Sequence, residues 1–228
     1  MAGNGPEVDW NFIIKHLPMY GDAALLTLGI GSLGILLSLA VGLALGQVLY
    51  FKIPVLGGIA AAYIELSRNT PLLVQLFFLY FGLPKIGLVM PSKVCAVIGL
   101  TFLGGGYMAE AFRSGFEAVE PIQYESAWCL GFTRLGAMRH VIFGQAFTMS
   151  LPAVLANIIF LIKETSVFSV LALADLMYVA KDLIGLYYNT NEALFLLVCF
   201  YLVILLPISL FASWLERRLR HVGFQCAV

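Results

Sequence analysis

Residues 23 to 51 run for 29 positions without one charged side chain. About 20 apolar residues cross the hydrocarbon of a bilayer as a helix, and a helix that is apolar all round is a core element or a membrane span. Four more stretches repeat the pattern. Residues 53 to 84 carry only Glu65 and Arg68, and residues 94 to 109, 141 to 162 and 193 to 215 carry no charge over 16, 22 and 23 positions. The run from 94 to 109 is short for a span and needs its flanks or protein cover. Charged residues make up 11% of the chain, whereas soluble domains hold about 25%. The chain therefore reads as an all-α integral membrane protein with about five transmembrane helices.

Other classes find little support. The opening residues do not read as a signal peptide, because no basic region precedes the first apolar run and that run is too long. Formal net charge is zero, so nothing suggests nucleic acid. Cys95, Cys129, Cys199 and Cys226 lack metal-ligand spacing, and the first three, in or near expected spans or in the loop after the third span, read as small hydrophobes. No metal site and no catalytic residue is expected. His16, His140 and His221 are isolated near the expected membrane borders and read as solvated or interfacial. The motif GIGSLG, Gly29 to Gly34, matches a dinucleotide fingerprint, but it lies inside an apolar helix and not after a strand. Gly34, Ser38, Gly42 and Gly46 instead recur every four residues and predict a helix face that another helix approaches closely.

Basic residues set the orientation. An odd number of spans puts the termini on opposite sides. With the C-terminal ERRLRH inside, Lys52 and seven arginines lie at or near the cytoplasm and four lysines outside, so N-out, C-in is favoured. One domain is expected: an outer segment over 1–22 that reads as an interfacial helix anchored by Trp10 and Tyr20, a transmembrane domain over 23–215 and a cytoplasmic tail over 216–228. Residues 53 to 68 read as a cytoplasmic-side interfacial helix, with the second span starting at Pro71.

Residues 109 to 140 form the main cytoplasmic loop. A short helix is expected over about Gln123 to Leu130, ended by Gly131 as a residue able to take positive φ, with Thr133 capping a second helix. Trp128, Phe132, Leu135 and Met138 place apolar groups between charges. Two readings stand side by side, a docking element and an interfacial helix resting on headgroups.

Three stretches carry a resemblance. SRNTPLLVQLFFLYFGLP (67–84) resembles the second-span signature of polar amino acid permeases in binding-protein-dependent ABC importers. YESAWCLG (124–131) is similar to the E-A-A-x-x-x-G loop shared by ABC importer permeases, and LIKETSVFSVLALADL (161–176) resembles the K-D-T-S-L block of the amino acid branch. Ile122 and Gly144 depart from the glycine and proline usual there. The resemblance implies a type I ABC importer permease fold in a bacterial inner or plasma membrane. It also implies a homodimeric or heterodimeric permease pair, two cytoplasmic ATP-binding subunits and an extracytoplasmic solute-binding protein. No cofactor is expected in this chain, ATP and Mg being bound by the partner. In that picture Glu125, Ala127, Trp128, Gly131 and Phe132 couple to the ATPase.

The pair Lys163–Glu164 interrupts an apolar run, and a charge at the bilayer centre costs roughly 2.5 to 3.5 kcal/mol on insertion scales. One reading ends the span there, with the two side chains paired. The other makes KETS a broken helix lining a cavity. A zwitterionic amino acid needs an acceptor for its ammonium and donors for its carboxylate. Glu164 suits the ammonium; Thr165 and Ser166 could cap a half-helix facing the carboxylate. Lys163, Asn157, Asn69, Thr70 and Gln75 complete the candidate substrate set. Arg68 reads as interfacial and paired with Glu65. An opine or other small solute, a gradient-driven carrier and a non-transporting scaffold remain open alternatives.

Overall fold

The computed structural model describes residues 9 to 223, with side chains described as far as Arg218. Residues 1 to 8 of the expected outer segment and 224 to 228 of the expected tail lie outside the described residues. Helix α1 spans Trp10–Tyr50. The Asp9 carboxylate caps it by accepting from the amides of Asn11 and Phe12. At 1.5 Å rise per residue its 41 residues extend about 60 Å, more than a bilayer needs. The outer segment is therefore no separate element from Trp10 onward; it continues the first span beyond the membrane. Tyr20 is not an interfacial anchor, since its side chain is fully buried and its hydroxyl donates to Ala193 O at 2.7 Å.

The remaining elements are α2 (Leu56–Asn69), α3 (Leu72–Phe77), α4 (Ser92–Glu117), α5 (Pro121–Cys129), α6 (Arg134–Ala137), α7 (Phe143–Glu164), α8 (Leu176–Tyr187) and α9 (Thr190–Gly223). A π-helical turn (Phe78–Gly82) and a 3-10 turn (Leu83–Ile86) extend α3. Among the described residues four helical stretches are long and apolar enough to cross a membrane: α1, α4, α6–α7 with the turns around them, and α9. The apolar stretch Leu72–Ile86 is shorter. It completes a fifth crossing together with α2, which enters the bundle and meets the middle of α4, where the Tyr63 hydroxyl donates to Phe102 O and Ser67 sits against Gly106. The second crossing is thus one path broken at Thr70–Pro71. Proline there disfavours helix at the preceding residue, and Thr70 is extended, with φ −111° and ψ 124°.

Helix α1 packs along α4 through the small-residue face expected from sequence. Gly34 sits on Leu100, Gly42 on Met108 and Gly46 on Phe112, while the Ser38 hydroxyl donates to Leu100 O at 3.3 Å. The constant offset means the two helices run in the same direction. Helix α4 meets α7 in the opposite direction, with Gly115 against Ser150 and Gly104 against Leu161. The short uncharged run of α4 has its cover, because more than half of it is buried by protein. A second apolar cluster joins Phe12, Ile13 and Tyr20 of α1 to α8 and to Ala193 and Leu196 of α9. His16 belongs to this cluster and is not solvated: it is buried between the Phe12 and Tyr187 rings and donates from Nδ1 to Phe12 O at 2.8 Å. The α8 end of the bundle and the α5–α6 end are therefore opposite poles.

Two outcomes follow from this packing. A Cβ at Gly42 would lie 2.8 Å from the Ala109 backbone nitrogen, which cannot move aside, whereas one at Gly29 would meet nothing within 4 Å. Gly42→Val is expected to destabilise the fold by about 1–3 kcal/mol, seen as a lower thermal unfolding midpoint in detergent, and Gly29→Ala to leave it nearly unchanged. Cys129 is exposed on α5 and Cys95 is buried. With Cys226→Ser in place, a membrane-impermeant maleimide should label Cys129 in urea-stripped inside-out vesicles and not in intact spheroplasts; the reverse pattern would invert the topology.

Candidate functional site

Two features combine polar chemistry with access. The first is the turn at the inner pole. Helix α5 starts at Pro121, a residue suited to the first turn, and ends where Gly131 takes φ +81°. The Thr133 hydroxyl accepts from Gly136 N at 3.1 Å and caps α6. Both features match the expectation from sequence. Ala127 is buried, so α5 is held to the bundle by one side. Gln145 of α7 donates to Gln123 Oε1 at 3.3 Å and ties α5 to the root of the next span. Tyr124 adds a contact to Met138 Sδ, and burial and Tyr50 hold its hydroxyl pKa above the ordinary value. On the other side Trp128, Leu130, Phe132 and Leu135 stand out, Trp128 being 49% exposed. The Arg134 guanidinium lies 5.9 Å over the Trp128 ring, within cation–π range. Glu125 is exposed on the same short helix. An exposed cluster of aromatic and aliphatic groups around one aromatic anchor is the make-up of an interface core.

The second feature is a cleft of about 270 Å³ inside the membrane-spanning bundle, lined by Arg68, Thr70, Pro71, Leu72, Tyr107, Phe160 and Glu164 among others. The break between α2 and α3 forms one wall, α4 the floor and the end of α7 the other wall. Glu164 enters it half-buried, with no ion pair or hydrogen bond among the described residues. The following residue, Thr165, lies 3.2 Å from the Cβ position of Gly31 on α1. Gly31 is eight residues, about 12 Å, inside the first uncharged position of that helix. Glu164 is thus level with an uncharged stretch of α1.

The other candidates divide. Thr70 lines the cleft with Glu164. Lys163 is exposed on a different face and makes no pair with Glu164, because neighbours in a helix point about 100° apart. Thr165 does not cap a new half-helix; its hydroxyl donates back to Ile162 O at 2.6 Å, and the chain tightens into a 3-10 helix over Thr165–Leu171. Ser166 caps nothing either. The break comes later, at Ala172 with φ 53°, and the next helix is capped by the buried Asp175, which accepts from Tyr178 N. Asn157 donates to Tyr107 O at 3.1 Å and fastens α7 to α4. Asn69 is occupied with Glu65, at 2.8 Å to its carbonyl and 2.9 Å to its carboxylate. Gln75 is buried and donates to Ser67 O and Thr70 O, bridging carbonyls left free by the broken helix.

Arg68 departs from the expectation. It is not paired with Glu65. Its guanidinium lies 3.7 Å from Glu110 Oε2 and 5.3 Å over the Tyr107 ring, both on α4. Glu110 and Glu117 also pair with Arg113. The signal for Arg113 and its two acids was legible as i,i+3 and i,i+4 spacing on one helix. The partner of Arg68 lies 42 positions away and had no local signal.

Residues 34–221 match the family of binding-protein-dependent transport system inner membrane components. The chain is 33% identical to a probable amino-acid ABC transporter permease of Vibrio harveyi over 92% of this chain and 96% of that one. It is 31% identical to the glutamine transport system permease of Escherichia coli (strain K12), covering 94% and 99%. Among solved structures, an amino acid ABC transporter with histidines superposes with a TM-score of 0.86 at 34% identity, covering 93% of this chain and 99% of that one. The MetNI methionine ABC transporter in an inward-facing form shares the fold, with a TM-score of 0.73 at 17% identity over 90% and 98%. Family match, full-length likeness and fold agree with the five-crossing bundle and its exposed inner turn, and the chain belongs to the family of binding-protein-dependent transport system inner membrane components, the ABC transporter permeases.

Proposed function

We propose that this permease subunit moves a polar amino acid through the cleft beside Glu164, driven by ATP-binding subunits that grip α5. Relatives named for amino acid and glutamine transport support the substrate class. The observation that carries the reading is Glu164 itself. An unpaired carboxylate inside the bundle is costly, and such residues mark substrate paths. An ammonium arriving from solvent would neutralise it, and the Thr70 hydroxyl could share the ligand. The remaining candidates hold the walls: Asn157 and Gln75 keep α7 and the broken second crossing in place.

Force reaches this cleft from the inner pole. A partner ATPase seated on Trp128 and Phe132 would displace α5 when it closes on ATP. Gln123–Gln145 passes that displacement to α7, and the close Gly115–Ser150 contact passes it to α4. Both walls of the cleft then move about the packed α1–α4 seam, which gives alternating access with a site inside the membrane. The chain supplies binding, positioning and motion; nucleotide chemistry belongs to the partner. A second permease chain, identical or related, completes the path, and an extracytoplasmic binding protein delivers the solute.

Uptake in proteoliposomes should require the ATPase, ATP and the binding protein. Uptake by this chain alone, abolished by an uncoupler, would assign a gradient-driven carrier instead. Glu164→Gln removes the charge from one charge-assisted hydrogen bond and should raise the KM for uptake about 10- to 100-fold without loss of assembly. Unchanged kinetics would make Glu164 structural. Gly131→Asp forces a side chain into left-handed backbone at a cost of about 1–2 kcal/mol and puts a charge beside the anchor. Substrate-stimulated ATP hydrolysis should fall sharply in this variant while the spans stay folded; full stimulation would remove α5 from the coupling path.

A further inference from the structure

We propose that residues 138 to 152 form a hinge, on which the spanning bundle tilts while α5 stays seated on its partner. The inference rests on the coupling reading above and locates a joint that this reading needs. A partner that grips Trp128 and Phe132 fixes the direction of α5. A rigid connection would then hold the whole bundle in that direction. Two packed blocks meet at residues 138 to 152. The inner block is the α5–α6 turn with the residues after it. Tyr124 donates to Met138 Sδ at 3.4 Å, and the Phe132 and His140 rings lie 6.0 Å apart. The outer block is α4 with α7 from Ser150 onward. Gly115 sits against Ser150, Asn157 donates to Tyr107 O at 3.1 Å, and Gly104 sits against Leu161.

Between the blocks the helical ladder is weakened repeatedly. Met138–Ile142 is a π-helical turn, closed by Phe143 N donating to Met138 O five residues back. Such turns are rare and gather at functional sites. Pro152 lies inside α7 and has no N–H for the carbonyl of Thr148. The Thr148 hydroxyl donates back to Gly144 O at 2.9 Å, a bond that bends and slightly weakens a helix. A Cβ at Gly144 would meet nothing within 4 Å, so no neighbour requires glycine there, and glycine is a poor residue for a helix interior. Gly144, Thr148 and Pro152 are four apart and share one face of α7. Gly144 and Pro152 are exposed on it, whereas Ala146, Ser150 and Val154 on the opposite side are buried. The helix is therefore held on one side and softened on the other. It bends in one plane, with the Gly115–Ser150 contact as the pivot. Kinks of this kind arise at proline, at glycine and at π-turns, and all three occur within these fifteen positions.

The test uses the complete complex in proteoliposomes, with ATPase and binding protein, and reads maximal uptake rate, KM and the thermal unfolding midpoint in detergent. Gly144→Ala and Pro152→Ala each strengthen the ladder. The maximal rate should fall about fivefold in Gly144→Ala, the helix preference of alanine over glycine converted to an equilibrium ratio, and at least about tenfold in Pro152→Ala. KM should stay unchanged, and the thermal midpoint should stay equal or rise. Gly144→Pro keeps the joint weak. It should retain more than about half of the maximal rate while its thermal midpoint falls. A purely structural role gives the opposite pattern, with uptake rising and falling together with the midpoint. If Gly144→Pro does not assemble, the two alanine variants carry the test alone. Undiminished maximal rates in both alanine variants, a change confined to KM, or a loss of rate that comes only with a lower midpoint would overturn the hinge. The coupling reading stands in that case if Gly131→Asp still abolishes substrate-stimulated ATP hydrolysis. Full stimulation in Gly131→Asp would overturn the two together.

Discussion

The bundle depends on how closely backbones approach α4. Gly104, Gly105 and Gly106 follow one another, and successive residues of a helix face directions about 100° apart. A Cβ at Gly104 would strike Ser38 of α1 and Leu161 of α7, one at Gly105 would lie 2.5 Å from the Tyr63 hydroxyl, and one at Gly106 would strike Ser67. Three neighbouring elements thus close on a single turn of one helix. In lipid, helix association gains little from burying apolar surface, since the tails are as apolar as leucine. It relies on close contact and on hydrogen bonds between helices. The Ser38 and Tyr63 hydroxyls supply such bonds, donating to Leu100 O and Phe102 O at this level. A carbonyl turned toward a neighbouring helix is easily reached where no side chain intervenes.

That close seam explains where the cleft lies. Helices α1 and α4 are in contact along four turns and leave no room between them. The second crossing touches α4 through Ser67 and Tyr63 and then breaks at Thr70–Pro71, and the break leaves space that Glu164 and Arg68 share. Irregular backbone within a membrane survives only where protein or a cavity satisfies its polar groups. Gln75 satisfies part of it by donating to two carbonyls across the break. The cleft is therefore bounded on one side by the stiffest part of the bundle and on the other by its least regular part. A motion that reaches the spans from α5 would be expressed at that boundary.

The features read correctly from sequence were those whose cause is local. Uncharged runs report a lipid environment residue by residue. A small-residue stripe every four positions reports a close helix contact whatever the partner is. Gly131 and Thr133 perform at the inner turn what their backbone and hydroxyl chemistry suits them for. The misreadings had a common source. Tyr20 and His16 resembled border residues because polar tips near a span end usually are, yet α8 and α9 fold over them and give their polar atoms partners. Thr165 looked like a cap from spacing, but its hydroxyl bonds backward to the preceding turn. Arg68 looked paired with Glu65 three residues away, although Asn69 already occupies that carboxylate.

By itself the sequence determined a five-crossing helical membrane protein, its favoured orientation, the α1 packing stripe, the inner turn and the family. Each of these depends on composition or on contacts within a few residues. Tertiary structure alone decided which polar residues face one another. It brought Arg68 to Glu110 and Tyr107, set Glu164 across the same cleft, turned Asn157 and Gln75 inward to fasten helices, and turned the Thr165 hydroxyl back onto its own helix. The physical reason is that a polar side chain in a membrane takes whichever partner the packed neighbour offers, and the identity of that neighbour is set by the glycine seams and not by distance along the chain.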